Sequence, residues 1–248
     1  MRLSDALGIG AGDVVAFVGA GGKSSAIRVT AGELAAAGLK VLALPTTKMT
    51  VRQAERIGPA LVSEDVSELA TLVREKLAVT SPVVAGSGII SKERIGGLGF
   101  EEVERLSREA DVLLVEADGA RGRPVKGTAE HEPAIPDCAT LAVAIAGINS
   151  LGKPVTEEYV HRPELFSVQT GVGPGQSITA RAIARSLADG SLAELPGKTE
   201  PVVLITGVTP GDPMSEASIV ARELWRFGIR KVVLTSLTAE EDLRVWIP

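Results

Sequence analysis

Seven apolar runs of strand length punctuate the chain, at Val14–Val18, Val41–Leu44, Pro82–Ala85, Val112–Val115, Leu141–Ala146, Val202–Ile205 and Lys231–Leu234. Helical patterns separate most of them. Ser24–Ala37 is Ala-rich and stops at Gly38, and Val66–Leu77 places Leu69, Leu72, Val73 and Leu77 on one face. Phe100–Arg108, Ser177–Leu187 (with Ser177 as a cap) and Met214–Phe227 read as further helices. Apolar runs without polar alternation fit strands covered on both faces. Strands alternating with helices build βαβ units. The expected fold class is therefore α/β, a mostly parallel doubly wound sheet with helices on both faces. Only 3% of the residues are aromatic while 45% are apolar, so the core has to be aliphatic.

Three segments break the pattern: Ile90–Leu98, Gly119–Pro136 and Asn149–Gly175, the last with helical character around Glu157–Gln169. Long irregular insertions are where function concentrates in such folds. The expectation is one domain over residues 1–248 with insertions at about 119–136 and 147–200. A small subdomain within 147–200 is the alternative.

A net charge of -5 argues against a nucleic-acid partner. A single cysteine, Cys138, excludes an internal disulfide framework and a multi-cysteine metal site. The N-terminal "MRLSDALGIG" lacks the apolar core of a signal peptide, and no apolar run nears the ~20 residues of a membrane span. The expected location is cytoplasmic, with no membrane partner.

The first apolar run leads into "GAGGKSS", residues 19–25. A helix N-terminus leaves backbone N–H groups unpaired and carries positive partial charge. Glycines let the backbone curl around an anion without Cβ clashes. Gly19, Ala20, Gly21, Gly22, Lys23, Ser24 and Ser25 are thus candidate phosphate-binding residues, with Lys23 on the phosphates and the Ser24 hydroxyl on Mg²⁺. The usual spacing, G-x-x-x-x-G-K-[ST], would need its first glycine at Phe17, so this loop is the shorter G-x-x-G-K-S-S. The competing reading is a plain strand-to-helix turn with a solvated lysine.

The run Val112–Val115 ends in Glu116, with Asp118 two positions on. If the strand continued to Asp118, both carboxylates would share a face. Both are candidate metal ligands or catalytic acids for a phosphate loop on a neighbouring strand. Arg121, Arg123 and Lys126 follow, able to hold an anionic substrate or a γ-phosphate, or to form ordinary surface ion pairs. Thr46, Thr47 and Lys48 end the second run and read either as ligand contacts or as a helix-capping turn. The only two histidines, His131 and His161, both fall in the insertions, the second beside Arg162. "GVGPG" before Ser177 fits an anion site or a plain loop, and Cys138 fits a buried thiol. After Val202–Ile205, "TGVTPGD" lacks the Lys and Asp of a guanine-reading turn, which leaves ATP by elimination.

Taken together, "FVGAGGKSS", "LPTTKM", "VEADGARGRPVKGTAEHEPAIP", "GINSLGKPV", "VHRPELF" and "SLADGSLAELPGKTEPVVLITGV" resemble, in this order, the YqeC-type accessory proteins of selenium-dependent molybdenum hydroxylases. The resemblance runs from about Leu3 to Leu237. It implies a P-loop NTPase-like protein that helps prepare the labile selenium cofactor of those enzymes, with a selenophosphate supply. It also implies nucleotide on Gly19, Gly22, Lys23 and Ser24, metal or catalysis at Glu116 and Asp118, and a pocket built with Lys126, His131, His161 and Arg162. Many relatives carry threonines at Ser24–Ser25, and some carry Asn and Asp in the "TGVT" turn.

The expected activity is Mg-ATP binding with hydrolysis or phosphoryl transfer, catalysed by Lys23, Glu116, Asp118, Arg121 and Arg123. The expected partners are the molybdenum hydroxylase maturation proteins. The alternative is a non-hydrolysing carrier or chaperone that presents a molybdopterin dinucleotide or a selenium donor.

Overall fold

The computed structural model describes all residues except 92, 210, 238–244 and 247–248. After a short helix α1 (Leu3–Leu7) come strand β1 (Val14–Gly19), helix α2 (Lys23–Ala36) and β2 (Val41–Pro45). Then follow β3 (Lys48–Thr50), α3 (Val51–Ile57), β4 (Ala60–Val62), α4 (Val66–Leu77) and β5 (Val83–Gly86). A ribbon of β6 (Ile89–Ser91) and β7 (Arg94–Gly96) leads to α5 (Phe100–Ser107), β8 (Val112–Glu116) and the two-residue β9 (Val125–Lys126). The second half holds β10 (Leu141–Gly147), β11 (Val160–His161), α6 (Pro163–Thr170), α7 (Ala180–Ser186) and β12 (Glu200–Thr206). It ends with α8 (Asp212–Arg226), β13 (Val232–Thr235) and β14 (Val245–Trp246).

Among the described residues, nine strands form the main sheet in the order β14-β13-β12-β10-β1-β8-β2-β5-β4. All its pairings are parallel except that of β14 with β13. The glycine-loop strand β1 lies at the centre, between the acid-bearing β8 and β10.

Alternation along β1 divides the core. Val14, Ala16 and Val18 pack with α4, α5, α7 and α8 through residues such as Leu69, Val103, Ile183 and Val220. Val15 and Phe17 pack on the other face with α1, α2 and α3 through Leu3, Ile27 and Ala54. The sheet is therefore doubly wound, with both faces covered by helices, as the apolar runs required. Connections leaving β1 reach β2 on one side, whereas those leaving β8 reach β10 on the other. Ligands of open α/β sheets sit outside the strand carboxyl ends at such a reversal.

Several local expectations change. Helix α7 is capped by Thr179, whose hydroxyl accepts from Ala182 N at 3.1 Å, not by Ser177. The helix within 157–169 begins only at Pro163. The segment read as irregular around Ile90–Leu98 carries the β6–β7 ribbon, and β7 pairs with β3. The two long insertions meet: β9 pairs in parallel with β11, placing Lys126 opposite His161. No helix among the described residues is long and apolar enough to cross a membrane.

Candidate functional site

Strand β1 ends at Gly19, and the chain turns through Ala20–Gly22 into α2. Gly19, Gly21 and Gly22 all have φ in the left-handed region, at 84°, 85° and 118°. A Cβ on Gly21 would overlap the backbone of Gly147 and Pro124, so the loop is pressed against its neighbours. The Gly19 amide donates to Asp118 Oδ2 at 2.9 Å, Ala20 N to Ile145 O at 2.8 Å and Gly21 N to Arg123 O at 2.9 Å. The Thr206 hydroxyl, at the end of β12, donates to the Gly21 carbonyl. Three of the loop amides are therefore engaged within the protein. The amides of Gly22, Lys23, Ser24 and Ser25 open the helix and have no acceptor in a preceding turn.

Lys23 is almost fully buried. Its ammonium donates to the Gly19 carbonyl at 2.5 Å and forms an ion pair with Asp118 Oδ1 at 2.9 Å. Asp118 is wholly buried, and its Oδ2 also accepts from Lys126 Nζ at 3.0 Å. Lys126 continues to Glu132 at 2.6 Å, and Glu132 to Arg162 at 2.5 Å. A buried chain of alternating charges thus joins the glycine loop to the second insertion. Burial pushes the Glu132 carboxyl up, but the hydrogen bonds from Arg162 and Lys126 outweigh it and hold the group at about 2.

Strand β8 stops at Glu116, so alternation does not carry on to Asp118 and the two carboxylates point to different partners. Glu116 Oε2 accepts from the Ser24 hydroxyl at 3.0 Å, and Ser24 Oγ accepts from Gln53 Nε2 at 2.7 Å. Burial pushes the Glu116 carboxyl up, with Lys23 and Ser24 opposing. Glu116, Ser24 and Gln53 line a cavity of about 400 Å³, together with Gly21–Gly22, Lys23 and Ser25. Asp118 does not line it.

A larger cavity of about 970 Å³ is lined by Thr46, Thr47, His131, Glu132, His161 and Arg162, among others. Lys48, Arg94, Gly119, Arg121 and Arg123 line both cavities, which therefore adjoin. Thr46 is also a structural link, its hydroxyl donating to Ala134 O at 2.9 Å. Lys126 is buried in the charge chain and lines neither cavity. Burial and the neighbouring Arg162 and Lys126 pull His161 down to about 4. Arg121 and Arg162 occupy left-handed backbone, at φ 48° and 59°, a costly conformation for non-glycine residues and one that gathers at functional sites.

Four contributors escaped the sequence reading. Gln53 had a signal: Thr50 and Gln53 form a capping box for α3, with Gln53 Oε1 accepting from Thr50 N at 2.8 Å, which aims its amide at Ser24. Arg94 lies on a strand that its sequence does not announce, Thr206 acts across 185 positions, and Glu132 belongs to a loop whose sequence has no pattern that pairs it with Lys126 and Arg162. Among the described residues no group of three His, Cys, Asp or Glu side chains converges. A Mg²⁺ ion fits the Ser24–Glu116 oxygens only if phosphate and water supply the rest of its shell, which is its normal habit.

Fold and loop together define a doubly wound α/β protein with a short glycine-lysine loop at the carboxyl edge of its central strand. The sequence matches the YqeC protein family over residues 15–164, and the chain belongs to that family. It is 34% identical over 169 residues to the protein YqeC of Escherichia coli (strain K12), covering 66% of this chain and 63% of that one. The chain thus spans a little under two thirds of that relative's length. Among solved structures it is similar to the hydrogenase maturation factor HypB from Archaeoglobus fulgidus, with 12% identity and a TM-score of 0.46 over 95% of this chain and 86% of that one. It is also similar to the signal recognition particle 54 kDa protein from Aeropyrum pernix K1 in complex with GDP, with 14% identity and a TM-score of 0.44 over 94% and 43%.

Proposed function

We propose that this protein binds Mg-ATP at residues 19–25 and cleaves or transfers its terminal phosphoryl group while serving the maturation of a selenium-containing molybdenum hydroxylase. The single observation that carries the nucleotide reading is the Ser24–Glu116 hydrogen bond of 3.0 Å beside Lys23, at the mouth of a glycine loop on the central strand. A hydroxyl and a carboxylate gathered beside the α2 N-terminus, with an ammonium that can turn from Asp118, support a phosphate chain bound there. The pathway assignment is supported by membership of the YqeC family and by the ordered motifs described above.

In this reading the amides of Gly22–Ser25, unpaired among the described residues, bind the phosphate chain. Lys23 leaves Asp118 in part and turns to the transferring group. Asp118 is a positioning residue that holds Lys23 and the Gly19 amide in register. Ser24 and Glu116, steadied by Gln53, would hold Mg²⁺ directly or through its water, and the ion would supply charge neutralisation on the phosphate oxygens. Arg121 and Arg123 meet negative charge that develops as the phosphoryl group moves.

Steady-state phosphate release from Mg-ATP tests this. Lys23→Ala and Glu116→Ala should each lower the rate at least tenfold. A rate left unchanged by both substitutions overturns the catalytic assignment.

A further inference from the structure

The charge around the two cavities is unevenly placed. Lys48, Arg94, Arg121 and Arg123 line both, and among the described residues none of the four side chains has an ion pair or a hydrogen bond. Two come from the β3–β7 ribbon and two from the 119–123 loop, so separate elements aim cations at one place. In a chain of net charge -5, four converging cations repel one another unless an anion joins them. By contrast, Arg162 is neutralised by Glu132, and the other charged groups that line only the larger cavity are the acids Glu157 and Glu164. The larger cavity is thus positive where it adjoins the phosphate loop and neutral to acidic elsewhere. Its volume of about 970 Å³ suits a whole small molecule, since such ligands fill roughly 300–1,000 Å³.

We infer that the larger cavity binds a second reactant alongside the nucleotide. It is a small organic molecule with one phosphate- or pyrophosphate-like end, resting on Lys48, Arg94, Arg121 and Arg123, and an uncharged body beside Thr46 and the two histidines. This rests on the nucleotide reading above and names the class of its partner substrate. Depression of the His161 pKa to about 4 agrees with it, because the ring then meets the ligand as a neutral hydrogen-bonding group.

The test is calorimetric titration of inorganic pyrophosphate into the full chain, free and saturated with magnesium and a non-hydrolysable ATP analogue. Pyrophosphate should bind the nucleotide-loaded protein. Arg94→Ala, an exposed ribbon position whose loss should leave the melting temperature in place, should weaken pyrophosphate at least fivefold more than it weakens the analogue. Pyrophosphate that binds only in strict competition with the analogue overturns the inference, as does an equal loss of both affinities in Arg94→Ala. If the analogue itself does not bind, the nucleotide reading fails separately. Pyrophosphate binding that survives Lys23→Ala and falls in Arg94→Ala would still uphold the second site, and its loss in Lys23→Ala would overturn it.

Discussion

Replacing Asp118 by Asn removes the one charge that ties the loop lysine to the rest of the buried chain. Asp118 is wholly buried, and its oxygens meet Lys23, Lys126 and the Gly19 amide. Breaking a buried ion pair from one side costs about 3–5 kcal/mol. Here Lys126 keeps Glu132 at 2.6 Å and Lys23 keeps the Gly19 carbonyl at 2.5 Å, so the low end applies, about 3 kcal/mol. For a chain of this size that lowers the melting temperature by roughly 6–12 °C. A bound polyanion would give Lys23 a new counter-charge. The gap between variant and wild type, measured by urea denaturation, should therefore shrink by about 1 kcal/mol or more with saturating magnesium and a non-hydrolysable ATP analogue, because only the polyanion-bound state offers that compensation. An apo loss below about 1 kcal/mol would refute the energetic role of the ion pair. A gap that the analogue leaves unchanged would refute the placement of Lys23 beside the bound nucleotide.

Three further outcomes are expected. Gly21→Ala, at φ 85° and against the Gly147 and Pro124 backbone, should lose at least about 2 kcal/mol in denaturation and show no ligand-induced stabilisation. Glu132 sits at about 2 in the folded chain against an ordinary 4.5, so its contribution to stability is full above about pH 4.5 and lost as pH falls toward 2. The stability difference between wild type and Glu132→Gln should therefore narrow over that window, as acid titration followed by circular dichroism will show. Mg-ATP at ~100 times its dissociation constant should stabilise by about 2.7 kcal/mol, a rise of roughly 5–11 °C in thermal melting.

Much of this architecture was legible because parallel strands buried on both sides leave uninterrupted apolar runs. The runs at 14–18, 41–44, 112–115 and 141–146 each fall within an observed strand. Strands β4, β9 and β11 were not legible, being two or three residues long. At the site, the glycine loop could be found because strand, loop and helix are contiguous. The pairings of its polar groups could not, because they depend on where strands stop. Asp118 turns to Lys23 and Lys126 only because β8 ends at Glu116, and Arg94 reaches the loop only through the β3–β7 pairing. Gln53 could have been found from the Thr50–Gln53 capping pattern.

The most direct measurement is a crystal structure of the full chain with magnesium and a non-hydrolysable ATP analogue. The β- and γ-phosphates should lie within hydrogen-bond reach of the Gly22–Ser25 amides and Lys23 Nζ, with Glu116 facing the metal's water shell. An analogue seated elsewhere, with Lys23 still held by Asp118 and those amides turned to protein or solvent, would contradict it.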